Sequence, residues 1–488
     1  MLVNTVIFLP LVAGLVVLAL PRIATAALKT VALAGSTITF LLSLAFLPLG
    51  VNVSAQFSAP WINAGWTAVY HVRVDALSLF FVLLTTLASA LCIWAAFSYR
   101  DLQRLRGFLF LLLAFETTLL GLFTAADLLL FYVYWDLMLI PVFLLLAGYA
   151  GSAEARRAAW YYLIYNGAGG LVLLLGIVAL VSQTHSFDVL SLSGVRLNAT
   201  LEWWLFAAFA LAFLIKTPAF PFHSWMPPTY TQAPAPLVAL VSGVQSKAGL
   251  YALIAFALPL FPNAAHKWAP VLLLLAICSI IYGALASLGQ RDMKTLVAFS
   301  SLSHLGLVWL ALFAFDLTSV SAGILMLISH GVIATLLFLL LGFVEERVGT
   351  RDLAAFGGLA QAAPRLQALL LVATMAALGL PGLSGFAGEY LILIGSWQTQ
   401  PAFTAVALLA VILSAAYMLV LFQGILHGPL RAGSAAPGTA LELRPREIAI
   451  AAPLIVLVFF LGMWPAWLND RTPVAPAAVT VSTRGGHA

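Results

Sequence analysis

Two lysines lie deep within apolar stretches of the chain. Lys216 lies in AFALAFLIKTPAFPFHSW, and Lys247 lies in PLVALVSGVQSKAGLYALIAF. An unpaired cation in a membrane costs several kcal/mol, so each lysine must face the protein interior and have a partner. An ammonium group binds and releases a proton, and a carboxylate that moves towards or away from it changes its proton affinity. The two lysines therefore indicate proton transfer, with a structural ion pair as the alternative.

Other ionisable groups at the same depth are few. The mid-span carboxylates and the deep imidazoles are Glu116, Asp136, Glu389, His304 and His330. A single deep histidine is usually a packing residue, and an acid near a helix end, such as Asp127 or Asp75, is usually a cap. Packing alone does not explain the whole set in so apolar a chain. We therefore predict that these groups form a polar axis that relays protons.

The composition indicates which elements carry these groups. Of the 488 residues, 63% are hydrophobic and 8% are charged, about a third of the charged share of a soluble domain. This excludes a cytosolic enzyme, and the scattered basic residues do not form the patch that nucleic-acid binding requires. Cys92 and Cys278 each lie in an apolar stretch, which excludes a disulfide framework and a thiolate metal site.

The apolar stretches have the length of membrane-spanning helices. A bilayer core about 30 Å thick needs roughly 20 apolar residues per helix, and we count about fourteen such stretches. They do not alternate in polarity as barrel strands do, and backbone groups in lipid must be satisfied internally. The sequence therefore predicts an all-α polytopic membrane protein, with spans that start near residues 2, 27, 75, 108, 126, 158, 202, 235, 268, 294, 317, 366, 402 and 447. The first span lacks a preceding positive charge, so we expect a retained helix rather than a cleaved signal.

Two spans contain helix breakers. Pro218 and Pro221 follow Lys216 in the seventh span, and the segment LGLPGLSGFAG precedes Glu389 in the twelfth. Interruptions at corresponding positions are typical of inverted repeats in transporters, so we predict two inverted five-helix repeats, spans 4–8 and 9–13. The predicted organisation is residues 1–100 for the first three helices, 108–260 and 268–428 for the repeats, 447–469 for the last helix and 470–488 for a loose tail.

The distribution of basic residues predicts the orientation. Most lysines and arginines outside the spans fall in loops that follow odd-numbered spans, for example Arg156, Arg157, Arg347 and Arg351. The positive-inside rule places these loops in the cytoplasm and both termini on the other side. The chain has no dinucleotide-binding glycine fingerprint, cysteine cluster or pair of haem ligands, so we expect electron transfer to occur in other subunits.

The stretches FYVYWDLMLIP, FLIKTPAFPFHSWMPPTYTQAP, SLSHLG, ISHG and GLPGLSGFAGE resemble the antiporter-like membrane subunits of respiratory complex I, the proton-pumping NADH:quinone oxidoreductase. That family is related to Mrp-type antiporter subunits. The resemblance covers spans 3 to 14, and Glu389 together with the short end of the chain resembles the chain M subfamily. It implies a proton-translocating subunit in the bacterial inner membrane, with other complex I membrane subunits, including antiporter-like neighbours, as partners. It also implies no cofactor in this chain, with flavin, iron–sulfur clusters and quinone in partner subunits.

The resemblance assigns a role to each deep ionisable group. It implies an ion pair of Asp136 with Lys216, a central Lys247, a terminal proton site at Glu389, His304 and His330 along a hydrated axis, and family acidic positions at Glu116 and Asp75. Two residues depart from the family pattern. Asp136 stands where the family has Glu and reaches about 1.5 Å less far, so direct contact with Lys216 is lost or bridged by water. Tyr230 stands where the family often has His.

Other functions remain open from the sequence. A subunit of an Mrp-type cation/proton antiporter or of a membrane-bound hydrogenase is the main alternative, and Glu389 and the chain length discriminate only weakly against it. A non-pumping structural membrane subunit is another, with Asp136 as its only support. An ammonium group repels Na⁺, so lysine-based sites favour proton transport.

Overall fold

The computed structural model of the chain describes residues 1–21, 24–48, 54–63, 66–98, 104–192, 194–429 and 441–472. Within these residues, thirteen helical segments are long and apolar enough to cross a membrane. The predicted twelfth span is present as two shorter helices. The α-helices are α1 (Leu2–Ala19), α2 (Thr25–Ser43), α3 (Ala76–Ala95), α4 (Leu105–Thr124), α5 (Leu128–Leu137), α6 (Leu139–Tyr149), α7 (Ala153–Thr184), α8 (Val189–Leu192), α9 (Ala199–Lys216), α10 (Met226–Gln232), α11 (Ala235–Gly243), α12 (Ala248–Ala252), α13 (Leu258–Leu260), α14 (Pro262–Leu288), α15 (Met293–Phe313), α16 (Leu317–Val348), α17 (Leu359–Ala362), α18 (Pro364–Ala377), α19 (Ser384–Thr399), α20 (Pro401–Leu426), α21 (Pro445–Met463) and α22 (Ala466–Asn469).

The predicted polytopic helical fold is confirmed. Several spans include short turns of other helix types. The 3₁₀ segments are Leu44–Phe46, Ala96–Ser98, Gln245–Lys247 and Leu353–Ala355, and Leu253–Ala257 is a π-helix. Because the backbone bonds stay within each segment, such turns are tolerated in a membrane where neighbouring protein satisfies the remaining groups.

A β-hairpin, which was not predicted from the sequence, follows the second span. Strands β1 (Ala55–Asn63) and β2 (Thr67–Val74) pair antiparallel, with Ala55 opposite Val74. The hairpin is anchored at the start of α5, where the Val69 amide donates to the Asp127 carboxylate at 3.0 Å. Asp127 also caps α5, as expected for an acid at a helix end.

The chain divides into two compact units. The first contains Met1–Thr217 and Val244–Val271, and the second contains Pro218–Gly243 and Leu272–Asp470. The two five-helix repeats stay a prediction. The predicted loose tail lies outside the described residues from position 473 onwards.

The helices differ in how deeply they are buried. In the second unit, α15 and α16 are buried along their entire apolar windows, whereas about a third of the corresponding window of α21 is buried. Helix α16 packs against α15 and α19. In the first unit, α7 packs against α6 and α9. The helices that carry His304 and His330 are therefore the most enclosed, and side chains on them are shielded from lipid.

Candidate functional site

The two helix interruptions predicted from proline and glycine are present. Helix α9 ends at Lys216, because Thr217 adopts an extended backbone before Pro218, the conformation that a residue preceding proline prefers. In the other interrupted span, α18 ends at Ala377 and α19 begins at Ser384, five residues before Glu389. Each interruption therefore leaves an ionisable side chain next to irregular backbone.

Lys216 is almost completely buried in the first unit. Its side chain is 1% exposed, and its Nζ lies 4.6 Å from the centre of the Trp135 ring. The same Nζ donates to the Trp135 carbonyl oxygen at 3.4 Å. A cation over an indole ring in a desolvated setting is stabilised by about 2 kcal/mol. The ammonium is therefore held by a ring and a carbonyl group.

Asp136 is half-buried and lies next to Trp135, at the end of α5. Helices α5 and α6 meet at Met138, because Pro141 has no amide hydrogen to donate back to Leu137. Within the described residues, no ion pair or hydrogen bond joins Asp136 to Lys216, and Asp136 Oδ1 has no hydrogen-bond partner. The expectation that direct contact is lost or bridged by water is consistent with this arrangement.

A glycine on α7 makes room for the Asp136 carboxylate. A methyl group built at Gly170 would collide with Asp136 Oδ1, and it would lie 3.1 Å from Cγ. Only a residue without a Cβ therefore lets the carboxylate occupy its observed position.

The eighth span is interrupted at Lys247, which the sequence analysis did not predict. Helix α11 ends at Gly243, a 3₁₀ turn ends at Lys247, and α12 starts at Ala248. Lys247 is fully buried, and its Nζ donates to Ser246 Oγ at 3.2 Å. A break within a membrane helix often marks a functional site.

One contact between α9 and α12 positions the backbone around both lysines of the first unit. The Leu250 amide donates to Thr217 Oγ1 at 3.2 Å, so the residue after Lys216 satisfies a backbone group just after Lys247. A Cβ at Gly249 would lie 2.5 Å from the Phe213 carbonyl oxygen. The close approach of α9 and α12 therefore requires glycine, and it connects the backbone around both lysines.

Glu116 lies on α4 and is completely buried. Ser36 Oγ donates to its Oε2 at 2.7 Å, whereas Oε1 has no hydrogen-bond partner within the described residues. A buried carboxyl group with one hydrogen bond is expensive to ionise without further solvation. Glu116 therefore resembles a proton-binding group more than an ion-pair partner.

The second unit brings three of the predicted residues together. His304 on α15 and Glu389 on α19 approach to 3.3 Å between Nε2 and Oε1, although the contact lacks the alignment of a hydrogen bond. The His304 and His330 rings are 5.5 Å apart, centre to centre. His304 Nδ1 also contacts Ser300 Oγ at 3.4 Å. All three ionisable side chains are at most 5% exposed.

A small cavity joins these groups. It is lined by Ser300, Ser301, His304, His330 and Glu389 together with apolar side chains. The cavity has a volume of about 10 Å³, which is close to the minimum that one water needs. A Cβ at Gly379, which has φ +83°, would lie 2.6 Å from Glu389 Oε2. Glycine in the interrupted span thus leaves room for the carboxylate.

A further buried lysine was not predicted from the sequence. Lys294, at the start of α15, is 2% exposed and pairs with Glu345 at 2.6 Å. Its Nζ also donates to the Ala233 carbonyl oxygen at 3.2 Å, at the end of α10. A cation at a helix C-terminus is favourable. Because Lys294 lies at a helix end, hydropathy alone does not distinguish it from a loop residue.

The predicted site residues are divided between the two units. The first unit contains Glu116, Asp136, Lys216 and Lys247, and the second contains His304, His330 and Glu389, which line one cavity. Asp75 also lies in the first unit, as the cap of α3, where it accepts a hydrogen bond from the Ser78 amide. Tyr230, at the departure from the family pattern, is buried and packs against Phe338 with ring centres 5.6 Å apart.

Known proteins are similar to this chain in sequence and in fold. The family described as NADH:quinone oxidoreductase/Mrp antiporter, TM, matches residues 125–414. NADH-quinone oxidoreductase subunit M of Rhodobacter capsulatus is 34% identical over 490 residues, covering 96% of this chain and 94% of that protein. A chain of respiratory complex I from Thermus thermophilus with bound NADH is 35% identical, with a TM-score of 0.87 and 98% of each chain covered. A chain of the Mrp complex from Dietzia sp. DQ12-45-1b has a TM-score of 0.85 at 22% identity, covering 99% of this chain and 98% of that one.

Proposed function

Because the chain belongs to the NADH:quinone oxidoreductase/Mrp antiporter transmembrane family, we propose that it is the M-type proton-translocating membrane subunit of a respiratory NADH:quinone oxidoreductase. The single observation that carries the proposal is the burial of Lys216 and Lys247 at interruptions of membrane helices. Ion pairs that only stabilise a fold do not require such interruptions, whereas ion pathways in transporters use them regularly.

Within the first unit, we propose that Lys216 and Lys247 each hold a proton during turnover. Asp136 changes the proton affinity of Lys216. No direct ion pair joins the two side chains, so a water bridges them. Glu116 is a further proton-binding group on α4. An ammonium group repels Na⁺, so the transported ion is the proton.

Within the second unit, we propose that Glu389 is the terminal proton site and that His304 and His330 lie beside it on the hydrated axis. The 3.3 Å approach of His304 to Glu389 is short enough for direct proton exchange after a small rotation of either side chain. The cavity beside them supports this role because it has room for about one water.

The proposed context is a larger assembly. We propose that other membrane subunits of complex I, including neighbouring antiporter-like subunits, surround this chain, and that electron transfer takes place elsewhere. Flavin, iron–sulfur clusters and quinone belong to those partners, and this chain contributes no redox centre. We place the protein in the bacterial inner membrane with both termini on the non-cytoplasmic side, as the loop charges favour. The Mrp likeness, at 22% identity, supports the shared fold and not a second function.

The test compares two lysine variants in the intact complex. Lys216→Met removes the buried ammonium, and Lys267→Met removes an exposed one on α14 as the control. After purification and reconstitution with a quinone, NADH-driven proton uptake into vesicles is measured in Na⁺-free buffer. We expect severalfold slower uptake for Lys216→Met and the parental rate for Lys267→Met. Parental uptake by an assembled Lys216→Met complex would reject the proposed role and favour the structural subunit.

A further inference from the structure

A line of buried polar and small residues runs along one face of α7. Tyr162, Asn166 and Gly170 follow one another at intervals of four residues, which places them on one face of a helix. Tyr162 and Asn166 are at most 1% exposed, whereas Tyr161, about 100° around the helix, is 39% exposed. Polar side chains on the inward face of a membrane helix mark an ion pathway more often than a packing surface.

Hydrogen-bond acceptors along this line have no protein donor. Asn166 Nδ2 donates to the Tyr162 carbonyl oxygen at 3.0 Å, and this bond leaves Asn166 Oδ1 without a partner. Asp136 Oδ1 and Gln245 Oε1 also have no partner within the described residues. Each buried acceptor left without a donor destabilises the protein by about 1–3 kcal/mol. These three unpaired atoms are all acceptors, and a water, which donates two hydrogen bonds, fits the missing partner.

The geometry of α7 places these acceptors one after another along the helix. The Cβ direction of a helical residue tilts towards the helix N-terminus, so the space beside Gly170 that the Asp136 carboxylate occupies faces Asn166. Residues four apart rise about 6 Å along a helix, a distance that hydrogen bonds of about 2.8 Å through one or two waters span. Beyond Asn166, Gln245 Nε2 donates to the Tyr162 hydroxyl at 2.5 Å. Gln245 belongs to the 3₁₀ turn that ends at Lys247.

We infer that Tyr162, Asn166 and Gln245 form a hydrated hydrogen-bond bridge between Asp136 and the Lys247 segment of the first unit. In each transfer, a water or the Tyr162 hydroxyl accepts one proton and releases another on its opposite side, so no net charge remains on the bridge. The amides of Asn166 and Gln245 orient these oxygens and exchange no proton, which makes them positioning residues. The inference rests on the proposed function, because it assigns the connection between two of its proton-binding groups.

The experiment uses substitutions that change the side-chain volume little, each made in the intact complex. Tyr162→Phe removes only a hydroxyl, and Tyr161→Phe on the exposed face of the same helix is its control. Asn166→Leu removes the amide, whereas Asn166→Ser leaves space for water and keeps a polar group. We expect Tyr162→Phe and Asn166→Leu to slow NADH-driven proton uptake about tenfold, the factor that 1.4 kcal/mol in a barrier corresponds to. Tyr161→Phe and Asn166→Ser keep at least half of the parental rate.

A second readout separates a proton pathway from a purely structural role. The ratio of uptake rates in H₂O and D₂O is expected to rise in Tyr162→Phe, because the bridge then limits the overall rate. A lower rate with an unchanged isotope ratio overturns the inference, and so does a parental rate for an assembled Tyr162→Phe complex. If Lys216→Met abolishes uptake while Tyr162→Phe and Asn166→Leu do not, the bridge is refuted and the proposed function stands. Parental uptake in Lys216→Met refutes the proposed function itself.

Discussion

Replacing Gly170 with alanine tests whether the position of the Asp136 carboxylate controls proton transfer. The added methyl group would collide with Asp136 Oδ1, so the carboxylate must move away from α7. Since ordinary contacts between such atoms are about 3.5 Å, the required shift is on the order of 1 Å. Gly170→Ala therefore displaces one defined group without removing any ionisable side chain.

The substitution affects the stability of α7 and the rate of proton transfer differently. Alanine favours a helix over glycine by about 0.8–1.0 kcal/mol, so the variant does not weaken α7. A misplacement of about 1 Å at a reacting group slows a reaction by up to about 100-fold. We expect NADH-driven proton uptake to fall between about 10-fold and 100-fold while the complex stays assembled.

Gly167 provides the matched control on the same helix. A Cβ at Gly167 has no atom within 4 Å, so Gly167→Ala changes helix propensity without a collision. Both variants are reconstituted with quinone, and the initial rate of proton uptake is compared with NADH oxidation by a soluble acceptor. A parental rate in Gly170→Ala, or an equal loss in Gly167→Ala, would refute the reasoning.

Two further predictions concern groups at the ends of the spans. Lys294→Met removes the 2.6 Å partner of Glu345 but leaves Arg351, whose guanidinium lies 3.7 Å from the other carboxylate oxygen. We expect a loss of about 2 kcal/mol of stability, less than for a fully buried pair because the Glu345 side chain is 30% exposed and keeps this second cation. Chemical unfolding measures it, and the added Glu345→Gln change should recover part of the loss; an unchanged midpoint for Lys294→Met contradicts the prediction. Burial raises the pKa of Asp127 above its usual value of 3.8, against the opposing effect of three backbone donors. The folded protein therefore binds this proton more tightly than the unfolded chain, and stability falls as pH rises from about 4 through the raised pKa. The stability of Asp127→Asn, which stays neutral and keeps an N-cap, should rise relative to the parent as the pH is raised above about 4. Thermal unfolding measures this difference, and a difference that stays constant with pH would oppose the prediction.

The membrane spans follow from the sequence because hydrocarbon thickness sets a length that apolar stretches either reach or do not. The same holds for the interruptions after Lys216 and before Glu389, where proline or glycine removes helix stability directly. The hairpin at Ala55–Val74 was not predicted. Its strands are held by pairing with each other and with Asp127, and β1 has no fully buried residue. A strand that buries so little of its surface leaves a weak periodic signal.

The candidate site was predictable in its residue types and only partly in its geometry. An ionisable residue in an apolar stretch is visible in the letters, and all such residues are buried here except the half-buried Asp136. The interruption at Lys247 was not visible, because GVQSKAGLY contains no proline and its break depends on the bond from Leu250 to Thr217. Gln245 and Tyr162 were also missed, although Tyr162 and Asn166 on one helix face are a signal that polar periodicity would have found.

The interruption after α9 also accounts for the sign of the charge at Lys216. Lys216 is the last residue of α9. Unpaired carbonyl groups at a helix C-terminus carry partial negative charge, which favours an ammonium group where no carboxylate pairs with it. A continuous helix would remove this backbone charge, so the break after Lys216 is part of what allows the isolated lysine to remain in the membrane and still exchange its proton.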